Sequence, residues 1–145
     1  MDTIEQIREF TNQNPVAWLA TAEDNVPHVR GMWMWFADET GFYFHTGTQK
    51  RLSVQLKKNS SVEIAFFNPG EGQGASQMVR ISGGVTFIEN KELETKLFQE
   101  RVWLNDIKAA YPNDKIFIFC IEHGQAQFWD MSRNCREKDI APIVF

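Results

Sequence analysis

Two adjacent cations, Lys50 and Arg51, follow the turn-forming segment Thr46-Gly47-Thr48-Gln49. A strand pattern ends before this segment, and a helical pattern begins after it. Exposed cations at a helix N-terminus cost about 0.3–1 kcal/mol each unless an anion binds beside them. Backbone amides, a threonine hydroxyl, an ammonium and a guanidinium together suit a phosphate group. The segment is therefore a candidate phosphate site; the alternative is that Thr48 caps the helix and both cations are solvated.

Arg30 is a second candidate, since it lies in a segment of aromatic and methionine residues, Val29–Phe36. A guanidinium buried in such surroundings needs a polar partner. Gly31 would allow the backbone to approach a ligand closely, and the neighbouring Met32 and Trp33 could cover a flat ring. The alternative is an ordinary core strand in which Arg30 pairs with a carboxylate of a neighbouring strand.

The elements that must position these residues are mostly strands. Short segments rich in β-branched and aromatic residues, separated by polar turns, predict seven strands. Helical spacing predicts an N-terminal helix that ends at Asn14-Pro15 and two further helices, Lys50–Lys58 and Lys91–Ala110. The predicted strands are Val16–Ala22, Pro27–Ala37, Phe42–Thr46, Ser61–Phe67, Gln77–Phe87, Ile116–Glu122 and Gln125–Asp130.

The connections between these strands indicate the fold class. The glycine-rich stretch Asn68–Ser76 is typical of a loop, and Gly83-Gly84 predicts a β-bulge in the strand that follows. Most connections are too short for parallel crossovers, so we expect an antiparallel sheet closed into a barrel, which removes exposed edges. Residues 1–145 are thus predicted to form one mainly β domain with short helices.

The amino-acid composition limits the binding partners and the cellular compartment that we expect for this protein. The formal net charge is -4, which gives no general field for a nucleic-acid backbone. Twelve Phe and five Trp need cover from a core, a ligand or a partner subunit, so we expect a dimer. No apolar run could span a bilayer, so we expect no membrane partner. No signal peptide is recognisable, so we expect a cytoplasmic location, where Cys120 and Cys135 would be reduced.

Metal and hydrolase chemistry have no support in the sequence. His28, His45 and His123 lie far apart without the spacing of metal ligands, so no metal site is predicted. There is no G-x-S-x-G motif, and neither cysteine has an evident base beside it. Cys120, within an apolar strand, is expected to be inert core.

Four segments are informative in combination: NPVAWLATA, PHVRGMWMWF, GFYFHTGTQKR-x4-LKKNSSVEIAFF and QMVRISGGVTF. In this order, over roughly residues 14–130, they resemble the pyridoxamine 5'-phosphate oxidase-like superfamily of FMN-binding split β-barrels. Within it, they look most like the general-stress-protein and nitroimidazole-resistance-like branch. The resemblance implies an antiparallel split β-barrel that forms a homodimer, with FMN bound near the subunit interface.

The resemblance also implies how the cofactor is bound. Arg30 corresponds to an arginine of the second strand that reaches the FMN phosphate, and the backbone after it runs beside the isoalloxazine ring. His45 and Thr46 correspond to a pair that contacts the flavin and its phosphate. Lys50 and Arg51 correspond to a basic pair that binds the phosphate at the start of the next helix.

Two further residues correspond to positions later in the chain. Gln77 matches a glutamine that often contacts the cofactor near the subunit seam, and Trp129 corresponds loosely to a late-strand tryptophan of the true oxidases. No catalytic side chain is assigned. The implied cofactor-binding residues are Arg30, Gly31, Met32, Trp33, His45, Thr46, Lys50, Arg51, Gln77 and Trp129.

The chain departs from the true oxidases at several positions. Trp35 stands where they place a lysine, and their helix-opening arginine-lysine pair is displaced here to Lys50-Arg51, followed by Leu52. After Trp129 the chain continues as DMSRNC, which does not match their arginine- and histidine-bearing substrate motif. Oxidation of pyridoxamine 5'-phosphate itself is therefore not expected.

The function implied is that of an oxidoreductase that transfers hydride or electrons through FMN. Its small-molecule substrate stays open, with an electron donor such as NAD(P)H. The main alternative is a non-catalytic module that binds flavin, haem or a deazaflavin, or that senses stress. A third reading is a structural dimer without a ligand.

Overall fold

The computed structural model describes residues 3–145, which form ten strands and several short helices. The helices are α1 Ile4–Gln13, α2 Arg51–Lys58, α3 Lys91–Glu100 and α4 Trp103–Ala110, with a 3₁₀ segment at Met131–Asp139. The strands are β1 Val16–Glu23, β2 Val26–Trp33, β3 Phe36–Asp38, β4 Gly41–Gly47, β5 Ser61–Asn68, β6 Gln77–Gly84, β7 Thr86–Ile88, β8 Ile116–Ile121, β9 Gly124–Asp130 and β10 Ile143–Val144.

The strands form two antiparallel sheets. One has six strands in the order β10-β9-β6-β5-β1-β2, and the other has four in the order β3-β4-β8-β7. Successive strand pairs alternate between the sheets: β1 and β2 lie in the first, β3 and β4 in the second, and so on to β9 and β10. The chain crosses between the sheets at Met34-Trp35 and at Val85, within two predicted strands.

The main hydrophobic core lies between the two sheets. The six-stranded sheet contributes Leu19 and Ile64, the four-stranded sheet contributes Phe44, and α2 contributes Leu52 and Leu56. Because side chains alternate along a strand, the four-stranded sheet also presents a second face. A smaller cluster covers that face under α3 and α4, and it contains Tyr43, Leu97, Leu104, Ile118 and Cys120.

The outer face of the six-stranded sheet is exposed and is apolar around β1 and β2, whereas Glu63 and Arg80 make it polar further along. Trp18 is paired with Gly31 across β1 and β2, and Val16 is paired with Trp33. In an antiparallel pair, opposite side chains point to the same side, so these residues share the face that points away from the core. Its large exposed side chains are Val16, Trp18, Val29, Trp33 and Phe67.

The predicted antiparallel split β-barrel is confirmed, but several predicted elements need correction. Pro27–Ala37 and Gln77–Phe87 are not single strands, because each bends from one sheet to the other. The helix predicted at Lys91–Ala110 is interrupted at Arg101-Val102. The prediction of one closed sheet is wrong, since the two sheets stay separate, and β10 adds a strand that the sequence patterns did not indicate. No helix among residues 3–145 is long and apolar enough to cross a membrane.

Candidate cofactor site

Arg30 points towards the main core and is bound by polar groups of two other elements. It is paired with Leu19 in the sheet, so its side chain shares the inner face with that core residue. Its Nη1 donates to Thr21 Oγ1 at 2.8 Å and to the Leu19 carbonyl at 3.3 Å. Its Nη2 donates to Oε1 of Gln55, a buried residue of α2. The strand cation predicted from the sequence therefore contacts the helix that Lys50 and Arg51 open.

The partners of Arg30 are neutral. Among the described residues, no ion pair involves Arg30, and burial lowers the pKa of its guanidinium. Thr21 Oγ1 also donates to Gln55 Oε1 at 2.8 Å, so the three side chains form one connected network. The alternative in which Arg30 pairs with a carboxylate of a neighbouring strand is wrong. No carboxylate among the described residues neutralises its charge.

The start of α2 carries positive charge without a capping side chain. Lys50 is the N-cap residue, no side chain bonds the first amides, and the first turn contains no acid. The first amides, of Arg51 and Leu52, have no acceptor within the helix. Gln55 lies four residues after Arg51, so its contact with Arg30 places that guanidinium about one turn from the start of the helix. Arg51 itself is exposed.

The turn before α2 is fixed by the segment that precedes β8. The amide of Lys115 donates to Thr48 Oγ1 at 3.0 Å, and the amide of Gln49 donates to Asp114 Oδ1 at 3.0 Å. Thr48 therefore does not cap α2, and that part of the alternative is wrong, whereas Lys50 and Arg51 are both exposed as the alternative has them. A Cβ atom at Gly47 would overlap the carboxylate of Asp114, so this position has no room for a side chain.

Thr46, the residue before this turn, holds a buried hydroxyl without a partner. Thr46 is 3% exposed, and among the described side chains its Oγ1 is one of two buried polar atoms that make no hydrogen bond, the other being Arg8 Nε. An unpartnered buried polar group costs about 1–3 kcal/mol, so a native structure needs a reason for it. A phosphate oxygen at the start of α2 would accept from such a hydroxyl. The residues present therefore fit the phosphate group of FMN.

His45 belongs to a different network on the other face of β4. Arg101, between α3 and α4, donates from Nη1 to His45 Nε2 at 2.6 Å and to the Trp33 carbonyl at 3.1 Å. Its Nη2 donates to the Met34 carbonyl at 2.8 Å. The ring centroids of His45 and Trp103 are 6.0 Å apart. Arg101 thus links the break between α3 and α4 to Trp33 and Met34, where the chain leaves the six-stranded sheet.

The protonation state of His45 follows from this network. Burial, together with the positive charges of Arg101 and Lys50, lowers the pKa of His45 to about 4. The imidazole is therefore neutral near pH 7. Because a guanidinium can only donate, Nε2 must accept, which puts the remaining proton on Nδ1.

The residues predicted to bind a cofactor thus divide into four groups. Arg30 and Thr46 face the core near the start of α2, and the exposed Lys50 and Arg51 begin that helix. His45 faces α3 and α4, because it alternates with Thr46 along β4. The third group consists of the three residues that follow Arg30 on β2. Met32 packs against the main core, whereas Gly31 and Trp33 lie on the outer face of the six-stranded sheet.

Gln77 and Trp129 form the fourth group, and they lie far from Arg30 within one chain. β6 is three strands from β2, which is about 14 Å at the usual strand spacing. Gln77 is also four residues along β6 from Ile81, the residue that lies in register with Arg30 through Leu19 and Ile64. One chain therefore does not bring all ten predicted residues together.

Sequence reasoning missed Thr21, Gln55 and Arg101. Thr21 and Gln55 are polar residues at positions that face the core, and a buried polar position on an otherwise apolar face is a signal that could have identified them. Arg101 had no such signal, because it lies in a stretch that reads as continuous helix. Its partners are 56 to 68 residues away in the sequence.

Residues 3–130 match the family described as pyridoxamine 5'-phosphate oxidase, so the chain belongs to this family. The resemblance inferred from the sequence motifs is thereby confirmed. No curated protein sequence matches the chain.

Solved structures share the fold at low sequence identity. A NimC/NimA family protein from Clostridium acetobutylicum superposes with a TM-score of 0.74 at 20% identity, covering 98% of this chain and 93% of its own. An FAD-binding protein from Mesorhizobium loti gives 0.63 at 19% identity, covering 87% and 91%. The haem storage protein HutZ from Vibrio cholerae gives 0.64 at 16% identity, covering 90% and 95%. These likenesses concern the fold alone.

Proposed function

We propose that this chain is an FMN-binding flavoprotein and acts as an oxidoreductase on a small molecule other than pyridoxamine 5'-phosphate. The observation that carries the proposal is the position of Arg30. Its guanidinium is held against α2 by Thr21 and Gln55, one turn from Arg51, without a carboxylate partner. A dianionic phosphate is the group that such a set of cations and free amides stabilises best.

The residues around the start of α2 have separate roles in this proposal. Arg30 and Arg51 pair with phosphate oxygens, Lys50 adds a point charge, and the amides of Arg51 and Leu52 donate hydrogen bonds. Thr46 Oγ1 gains the partner that it lacks. When bound, FMN supplies hydride and electron transfer, with NAD(P)H as the electron donor we favour. The protein's part is to bind, orient and shield it.

We also propose that the chain is a homodimer through the outer face of the six-stranded sheet. Trp18 is 57% exposed and Trp33 is 64% exposed, and a monomer rarely leaves such a face uncovered. A second copy seated there would be the source of the Gln77 and Trp129 that one chain keeps apart from Arg30. Trp18→Glu should give a monomer by light scattering. A Trp18→Glu dimer would contradict the proposed interface.

The flavin proposal is tested by titrating the purified protein with FMN and with riboflavin. Arg51→Gln or Lys50→Gln should weaken FMN binding about 10- to 100-fold, the value of one charge-assisted hydrogen bond, and leave riboflavin affinity nearly unchanged. Lys57→Gln is the matched control, because Lys57 is a cation in the last turn of the same helix. Equal losses for the two flavins would show that the pair does not contact the phosphate. Absence of FMN binding would reject the proposal.

A second candidate is a binding or stress-sensing module without turnover. Two solved structures with this fold support this candidate function, since one is described as FAD-binding and the other as a haem storage protein. Bound flavin that NADH and NADPH fail to reduce would support this function over the oxidoreductase. Haem at His45 is disfavoured, because Arg101 already donates to Nε2 of that ring. The cytoplasmic location and the single-domain assignment stay predictions from the sequence.

A further inference from the structure

The network around Arg101 has no role in the phosphate site. His45 and Arg101 lie on the face of β4 that turns towards α3 and α4, whereas Thr46 and Arg30 face the main core. FMN phosphate at the start of α2 therefore accounts for Arg30 and leaves Arg101 without an anion. Arg30 and Arg101 are thus both half-buried and bound by neutral groups, but Arg30 faces the main core, whereas Arg101 lies on the other side of β4.

Arg101 is bound by neutral groups, and the only charge among the described residues that acts on it nearby is that of the adjacent Glu100, which does not form an ion pair with it. Its partners are the carbonyls of Trp33 and Met34 and the neutral ring of His45. Among residues 3–145, no ion pair involves Arg101. The adjacent Glu100 is already engaged, because its Oε2 accepts from Trp35 Nε1 at 2.6 Å.

Arg101 also retains unused donors. A guanidinium has five N–H groups, and the three contacts above use both on Nη1 and one on Nη2. The Nε–H and one Nη2–H have no acceptor among the described residues. Nε and Nη2 together form one edge of the guanidinium plane. That edge matches the two oxygens of a carboxylate.

Trp103 adds a flat apolar surface beside this group. It begins α4 two residues after Arg101, its ring is 6.0 Å from that of His45, and it is 55% exposed. An exposed indole face next to an unpaired cation suits a ligand that is both aromatic and anionic. The neutral state of His45 leaves Arg101 as the group of this cluster that binds the charge.

We propose that Arg101, His45 and Trp103 form a binding site for an aromatic carboxylate, with Arg101 pairing with the carboxylate and Trp103 stacking on the ring. His45 is a positioning residue here, since its Nε2 fixes the orientation of the guanidinium. The site goes beyond the flavin proposal and does not depend on it.

The test uses benzoate as the probe, with the indole and imidazole signals in NMR spectra of the full chain as the readout. Benzoate should shift the signals of Trp103 and His45 saturably, whereas benzamide, which lacks the charge, and cyclohexanecarboxylate, which lacks the flat ring, should bind at least about tenfold more weakly. Arg101→Met should weaken benzoate about 10- to 100-fold.

Two further variants keep the test valid if Arg101→Met does not fold. Arg101→Lys keeps the charge but loses the planar pair of donors, and Trp103→Leu alters an exposed side chain; each should weaken benzoate about three- to tenfold. Lys108→Gln and Tyr111→Leu are the matched controls, because they change a cation and an exposed ring elsewhere on the same helix and its cap. Both should bind benzoate as the unchanged protein does.

Three outcomes would overturn the inference. Benzoate that leaves the signals of Trp103 and His45 unmoved up to the millimolar range would exclude the site. Equal affinity for benzoate and benzamide would show that Arg101 does not bind the negative charge of the carboxylate. Loss of FMN but not riboflavin binding in Arg101→Met, without benzoate binding in the unchanged chain, would assign Arg101 to the phosphate instead. None of these outcomes depends on whether Arg30 binds FMN.

Discussion

Arg30 and Arg101 are similar in charge and burial but differ in what surrounds them. The guanidinium of Arg30 is bound mainly by the side chains of Thr21 and Gln55, which are also bonded to each other. The guanidinium of Arg101 is bound by two backbone carbonyls and by His45 Nε2. Removing Arg30 leaves its partners paired, whereas removing Arg101 leaves acceptors without a donor. Two similar residues in one protein can therefore differ in how much of the fold depends on them.

The largest expected effect is on flavin affinity. Arg30→Met should weaken FMN binding by about 100-fold, because it removes a guanidinium from a partly buried phosphate site. Arg101→Met should change FMN affinity less than about threefold, since Arg101 faces the other side of β4. Quenching of flavin fluorescence measures both. Similar losses in the two variants would remove the distinction between the two arginines.

The next effect reverses the order of the two variants. Arg101→Met should lower the free energy of unfolding by about 2 kcal/mol, because the acceptors at Trp33, Met34 and His45 lose their donor. Arg30→Met should cost less than about 1 kcal/mol, since Thr21 Oγ1 still donates to Gln55 Oε1. Urea unfolding in the absence of ligands gives both values. A larger loss for Arg30→Met would contradict the comparison.

A third effect concerns pH. The pKa of His45 in the folded chain is about 4, below its usual 6.5, so the unfolded chain binds more protons between these values. The stabilising contribution is complete above pH 6.5 and declines as the pH falls towards 4. When the pH falls from 7 to 5, the free energy of unfolding should therefore decrease by about 1.5 kcal/mol less in His45→Gln than in the unchanged chain.

The matched control for this pH effect is His123→Gln, because His123 is exposed. It should keep the pH dependence of the unchanged chain. In Arg101→Met, the pKa of His45 should rise but stay below its usual value, since the ring is still buried and Lys50 is still present. Titration of the imidazole signals by NMR checks this directly, and an unmoved pKa would show that Arg101 does not act on His45.

The smallest expected effect tests the charge at Arg101 alone. Glu100 opposes the lowering of the Arg101 pKa, so its negative charge acts on the guanidinium. Glu100→Gln should therefore tighten benzoate binding by about twofold, as expected for an exposed charge in water. Glu94→Gln, an exposed position of the first turn of α3, should leave the affinity unchanged. Weaker benzoate binding in Glu100→Gln would contradict an anion at Arg101.

The sequence predicted most of the strands, since turn residues and alternation mark most of the paired segments, whereas the phosphate region stays a prediction. The prediction failed where one continuous sequence pattern covers two secondary-structure elements. Nothing in Met34-Trp35 signals a bend, because both residues suit a strand, and the strand was therefore predicted to continue to Ala37. At Gly83-Gly84 the signal was present but was interpreted as a bulge rather than as the approach to the second sheet.

The site was predictable only in part, for a similar reason. Arg30, Lys50 and Arg51 break a local rule, either as a cation in an apolar strand or as cations at a helix start. Arg101 breaks none, since an arginine in an exposed amphipathic helix is ordinary. Its environment is created by packing against Trp33 and His45, which are distant in sequence, and local patterns do not contain that information.

The alternation of strand pairs between the two sheets means that neither sheet is encoded by a contiguous stretch of sequence. Either half of the chain lacks strands of both sheets, and neither half carries a complete core. Loss of one sheet thus removes the support of the other. The chain should consequently melt in a single cooperative transition, and split halves should regain structure only when mixed.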